Sequence, residues 1–125
     1  MRIMPATLAA LLALSACAAF EPAFKKPGAV QLNGAEVSAL LKGHTIGLIN
    51  AAGRSYTNSF ANDGSIVISG GKGSERGRWR IVGDRYCLTL DLDPRDQCMD
   101  IYRIPDGSYQ MVNTDGALRN TFRLQ

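Results

Sequence analysis

Between residue 44 and Leu124, the pair Asp-Gly recurs three times, each time between two short runs in which apolar and polar residues alternate: Asn62-Asp63-Gly64, Pro105-Asp106-Gly107 and Thr114-Asp115-Gly116. Glycine takes the positive φ that a tight hairpin loop demands, and aspartate hydrogen-bonds its own backbone two residues on. Gly83-Asp84 joins two further runs in the same way. A chain reversed this often has no room for long helices, nor for the crossovers of a dozen or more residues that parallel strands need. It reads as an antiparallel meander.

The runs have a period of two. Ile46 and Leu48 share a face of 44–50, and Tyr56 and Phe60 a face of 55–61. Residues 65–69 are rich in β-branched side chains. In 77–82, Gly77, Trp79 and Ile81 lie opposite Arg78 and Arg80. Tyr86, Leu88 and Leu90 align in 85–91, Met99 and Ile101 in 97–104, Tyr109 and Met111 in 108–113, and Leu118, Phe122 and Leu124 in 117–124. Eight short strands with short links predict a mainly β fold, a small antiparallel up-and-down eight-stranded barrel of lipocalin or calycin type, filled by side chains or holding a shallow cavity. A two-sheet sandwich is the alternative, disfavoured because no long crossover is present. Ahead of the strands, Asn33 and Glu36 form a capping-box pattern, and Val37, Leu40 and Leu41 make one apolar stripe before Gly43. That predicts one short helix. The barrel domain then occupies 33–125.

The amino-terminal end reads as an address. Arg2 precedes the apolar run at 8–14, which is too short for the roughly 20 residues that cross a bilayer. Leu14-Ser15-Ala16-Cys17 resembles the bacterial lipoprotein box, which implies a signal peptide at 1–16 and acyl chains on Cys17. Two or three chains give stable anchoring. Ala18 after the cysteine implies the outer membrane, with the domain facing the periplasm. An ordinary secretory signal cut near Cys17 is the competing reading. Residues 17–32, with Pro22, Pro27, Gly28 and Lys25-Lys26, are expected to tether the lipid to the domain.

Three cysteines is an odd number. Lipid on Cys17 leaves Cys87 and Cys98 to form one disulfide in an oxidising compartment. If those two face each other across a hairpin, the same register pairs Leu90 with Arg95 and puts a tight turn at Leu92-Asp93. Both cysteines then point away from the apolar face.

Composition narrows function by exclusion. The hydrophobic fraction of 46% against 20% charged is that of a folded domain, and 125 residues allow one. A net charge of +3 is too small to argue for nucleic acid. The single histidine, His44, has no nucleophile motif near it, so no catalytic residue is assigned and no cofactor or metal is expected. Asp91, Asp93, Asp96 and Asp100 lack the glycine and terminal glutamate of a calcium loop and read as a solvated hairpin tip. The glycine-rich stretch 69–77 is the longest segment without strand pattern, and Lys72, Arg76, Arg78 and Arg80 give it a basic patch. It is the candidate binding loop for an acidic partner, against the plainer reading of a solvated strand face.

The spacing Tyr56…Phe60-Ala61-x-Asp63-Gly64, then Gly77-x-Trp79-x-Ile81, Tyr86-Cys87-Leu88, Cys98…Tyr102-Arg103 and Asp106-Gly107-x-Tyr109 resembles a family of small exported alphaproteobacterial proteins of unknown function, over about residues 32–125. The Gly77-x-Trp79 strand followed by Cys87 is also similar to periplasmic metalloprotease-inhibitor barrels, which are eight-stranded with one disulfide. The expected function is a non-enzymatic binding or scaffolding lipoprotein of the outer membrane, held to the membrane through Cys17 and meeting an envelope protein. An inhibitor of a protease or lysozyme, and a carrier of a small apolar ligand, are the alternatives.

Overall fold

A computed structural model describes residues 27–124. Its elements are β1 (Val30–Gln31), α1 (Gly34–Leu41), β2 (Thr45–Asn50), β3 (Ser55–Phe60), β4 (Ser65–Gly70), β5 (Gly73–Val82), β6 (Arg85–Leu90), β7 (Asp93–Arg103), β8 (Tyr109–Asn113) and β9 (Leu118–Phe122). The expected signal peptide at 1–16, the expected lipid site Cys17 and Lys25-Lys26 lie outside the described residues.

Strands β2 to β9 each pair antiparallel with the next, and β9 pairs back onto β2, so the meander closes into an eight-stranded barrel. The glycines of the three Asp-Gly turns have φ of 91° each, the left-handed backbone for which glycine is suited. Asp63, Asp106 and Asp115 each accept the backbone N–H two residues on, at 2.9 Å. The turn chemistry therefore dictates where the chain reverses.

The side chains that alternate inward fill the barrel. Leu48, Phe60, Ile66, Trp79, Tyr86, Leu88, Met99, Ile101, Met111 and Phe122 belong to one buried cluster. Phe60 takes Trp79 and Tyr86 edge-on, at centroid distances of 5.3 and 5.4 Å. Trp79 also donates its indole N–H to the Ala61 carbonyl at 3.1 Å, so it packs without leaving its polar atom unpaired.

The short helix forms by capping and packing together. Asn33 Oδ1 accepts the Glu36 N–H at 2.9 Å while Glu36 Oε1 accepts the Asn33 N–H at 3.0 Å. Val37 and Leu41 join the barrel core, and the Gly34 N–H donates to Asp84 Oδ1 at 2.8 Å in the β5–β6 turn. A helix of eight residues is too short to hold itself, so these tertiary contacts decide. They seat it at the barrel end where β5 passes into β6.

Four details differ from the expected pattern. Val30 and Gln31, expected in the tether, pair with Arg103 and Tyr102 on β7, and Leu32 is buried in the core. The long β7 makes this possible, because its pairing with β6 ends at Met99 and leaves its last residues open on that side. Strand β5 begins at Gly73 rather than residue 77, with Ser69 paired to Ser74 and Gly70 to Gly73. The presumed loop is therefore a hairpin with Gly71-Lys72 as its turn; main-chain pairing needs no apolar alternation, so glycines and serines hid it. On β7, pairing starts at Asp93, opposite Leu90, not at Arg95. Pro94, Arg95 and Asp96 bulge against Thr89, where a proline without an N–H costs the ladder nothing. The hairpin turn is thus Asp91-Leu92.

Cys87 and Cys98 are direct register partners and form a disulfide, with Cα atoms 4.0 Å apart. They lie off the apolar cluster, yet Cys87 is only 1% exposed.

Candidate functional site

The four cations expected to form a binding patch are placed along one hairpin. Lys72 sits in its turn, and Arg76, Arg78 and Arg80 alternate along β5 on the face away from the core. Two are committed within the chain. Arg78 donates to the Asp63 carbonyl at 3.0 Å. Arg80 grips Asp96 with two nitrogens, at 2.9 and 2.5 Å, and Thr89 adds a third donor to Asp96 at 3.1 Å. Arg80 holds the Asp96 carboxyl below its ordinary value, chiefly through this hydrogen bonding, and the pair holds Arg80 up in return.

The acidic run is parcelled out in the same way. Arg95 donates twice to Asp93, at 2.8 and 2.6 Å, and brings its carboxyl down to about 2. Asp100 accepts from Arg85 and Gln31, at 3.2 Å each. Among the described residues no group of three or more histidine, cysteine or carboxylate side chains is arranged to hold a metal ion.

Inside the barrel, a polar cluster sits among the apolar side chains. The Tyr56 hydroxyl donates to Asn120 Oδ1 in a short hydrogen bond. The register slips between β8 and β9, Val112 facing Leu118 while Met111 faces Asn120. Arg119 is the extra residue, and it donates to Gln97 Oε1 at 2.7 Å. Burial pushes Tyr86 far above the ordinary tyrosine value and Tyr56 up to a smaller extent, with the Arg119 charge opposing both.

An apolar concavity lies elsewhere. A cleft of about 730 Å³ separates α1 from the start of β2 and the chain that leaves β9. Leu32, Leu40, Ile46 and Leu124 give it an apolar lining, and Arg103 and Arg123 bring two cations to it. It exists because the barrel seam is incomplete: β2 pairs with β9 only through Leu48, Ile49 and Asn50. Beyond Phe122 the chain departs from β2, and Leu124 stays 53% exposed. A second trough of about 620 Å³ continues along the barrel wall and shares Gly47, Thr57 and Arg123 with the first.

Charges in the cleft are unequal in availability. Glu36 spends a carboxylate oxygen on the helix cap. Arg123 donates to the Asp106 carbonyl at 2.8 Å and pairs with its carboxylate at 3.5 Å. Arg103 is exposed and makes no ion pair among the described residues. His44 lines the same cleft.

None of the four patch cations reaches this cleft, and the sequence reading did not single it out. Two signals pointed there: Leu40, an apolar helix position beside the buried Val37 and Leu41, and Leu124, an apolar residue past the end of the last strand. No protein-family model, no curated protein and no solved structure matches this chain.

Proposed function

We propose that this chain is a non-enzymatic binding module of the bacterial cell envelope, anchored by acyl chains on Cys17 and taking its partner in the cleft between α1 and the β2–β9 seam. The observation that carries the reading is the cleft itself: an apolar concavity of about 730 Å³ beside cations, on a barrel whose interior is otherwise occupied by side chains. Pockets of roughly 300–1,000 Å³, mostly apolar with a few placed polar groups, are the usual dimensions of binding sites. The Cys87–Cys98 disulfide supports export to an oxidising compartment. Among the described residues no helix is long and apolar enough to cross a membrane, so the Leu14-Ser15-Ala16-Cys17 box supplies the attachment in this reading.

The test is titration of the mature protein with an anionic apolar dye, anilinonaphthalene sulfonate. Saturable one-to-one fluorescence enhancement is expected, lost in Leu40→Arg, which places a charge on the apolar lining. Enhancement that is absent, or unchanged by Leu40→Arg in a folded variant, overturns the cleft as the binding site.

A further inference from the structure

We infer that the cleft takes an extended peptide segment, added as a short strand against residues 45–47 of β2, with an apolar side chain on Leu40 and Ile46 and a carboxylate on Arg103. This rests on the binding role proposed above and names the chemistry of the partner.

The backbone supplies the first reason. Strand β2 pairs with β3 from Thr45 through Ile49, but with β9 only from Leu48 onward. Residues 45–47 therefore have a ladder partner on one side alone. The Phe60 N–H donates to the His44 carbonyl at 2.9 Å, and the Asn50 N–H to the Arg54 carbonyl at 2.9 Å. Because antiparallel strands turn alternate residues toward alternate neighbours, the even positions of β2 address β3. Thr45 and Gly47 address the cleft.

Gly47 supplies the second. Glycine weakens a strand interior, and it persists there where a turn, a bulge or a close approach requires it. Gly47 has none of these within the fold. Its φ is not positive, its pairing with Thr57 is regular, and a Cβ built on it meets nothing within 4 Å. It also lines both the cleft and the trough that continues from it. A bare backbone position at the middle of a continuous groove suits close approach from outside.

These two features separate a peptide from an acyl chain. A hydrocarbon lying on this edge would strip water from backbone groups of Thr45 and Gly47 and give no hydrogen bond back, which is unfavourable. An extended peptide supplies donors and acceptors in the matching alternation, and places every second side chain toward the apolar lining. The charge follows the same logic. Glu36 and Arg123 are engaged by their own chain, whereas Arg103 is not. The group it fits is a carboxylate, from an acidic side chain or a chain terminus.

The experiment uses the full mature chain with its disulfide intact. The probes are amino-terminally labelled hexapeptides alternating Val, Leu or Phe with Thr, each made with a free carboxylate, with a terminal amide, and with alternate backbone nitrogens methylated; dodecanoate is the acyl control. Anisotropy is expected to show the free acid binding about ten-fold tighter than the amide, the size of one charge-assisted hydrogen bond. Arg103→Gln should erase that difference. Methylated peptides that bind like their parents overturn strand addition. Binding of dodecanoate without any peptide overturns strand addition and leaves the binding role standing. Binding of neither removes both.

Discussion

Tyr86 lies edge-on to Phe60 in the middle of the barrel, ring centroids 5.4 Å apart at an interplanar angle of 77°, and its buried hydroxyl has no hydrogen-bond partner among the described residues. The ring is a core element; its oxygen is a liability. Tyr86→Phe keeps the ring contact and removes the orphaned group, so stability near neutral pH should hold or rise by up to about 1 kcal/mol. A thermal melt checks this, and a clear loss would mean the hydroxyl has a partner in solution.

The same residue sets the alkaline limit. Burial raises Tyr86 well above the ordinary value of 10.0, so the unfolded chain releases this proton at a lower pH than the folded one. A folded value raised above the unfolded one leaves stability intact below about pH 10 and draws it down as pH rises further. Melting temperature should therefore begin to fall near about pH 10 and keep falling as pH rises further. Tyr86→Phe should reduce the slope without abolishing it, because Tyr56 is raised too.

Cys87 and Cys98 should be unreactive toward thiol reagents in native protein, because they are bonded to each other and Cys87 is nearly inaccessible. Their sequence separation of 11 closes a short loop, for which the chain-entropy treatment gives about 3 kcal/mol. The double variant Cys87→Ala/Cys98→Ala should melt several degrees lower. Labelling of either thiol before reductant is added contradicts the bridge.

Much of this fold is written in local chemistry. Asp63-Gly64, Asp106-Gly107 and Asp115-Gly116 marked three reversals, and the alternation of Trp79 with Ile81 and of Tyr86 with Leu88 assigned the inner faces. What stayed hidden was held by main chain alone. Ser69 to Gly73 pairs through backbone without an apolar face, and the bulge at Pro94, Arg95 and Asp96 is a shift of main-chain register between Leu88 and Leu90. The cleft escaped for a related reason. It is made where β9 stops pairing with β2, a property of two strands distant in sequence that no local pattern reports.

Anchoring is tested at Cys17. If the proposed lipid attachment holds, Cys17→Ser removes the thiol it needs, so the variant should remain uncleaved or become soluble, while the parent should partition into detergent and carry acyl mass on Cys17. A variant that matures and partitions like the parent would remove lipid attachment from the proposal and leave the cleft untouched.

The basic hairpin and the cleft offer competing surfaces, and the barrel keeps them apart. Lys72 turns between β4 and β5, at the end opposite the β5–β6 turn that seats α1. Neutralising Lys72, Arg76, Arg78 and Arg80 together should leave capture of an envelope partner unchanged if the partner enters at α1. The fold should tolerate it, since Arg80 and Asp96 are half exposed and surface ion pairs contribute little. A small drop in melting temperature is expected, because Asp96 loses two donors and the β6–β7 bulge loses its clamp. Leu40→Arg should do the reverse, abolishing capture by a folded barrel through a charge on the apolar lining. Capture lost in the quadruple variant and kept in Leu40→Arg would move the binding face to the hairpin, since only there do four cations follow one strand and its turn.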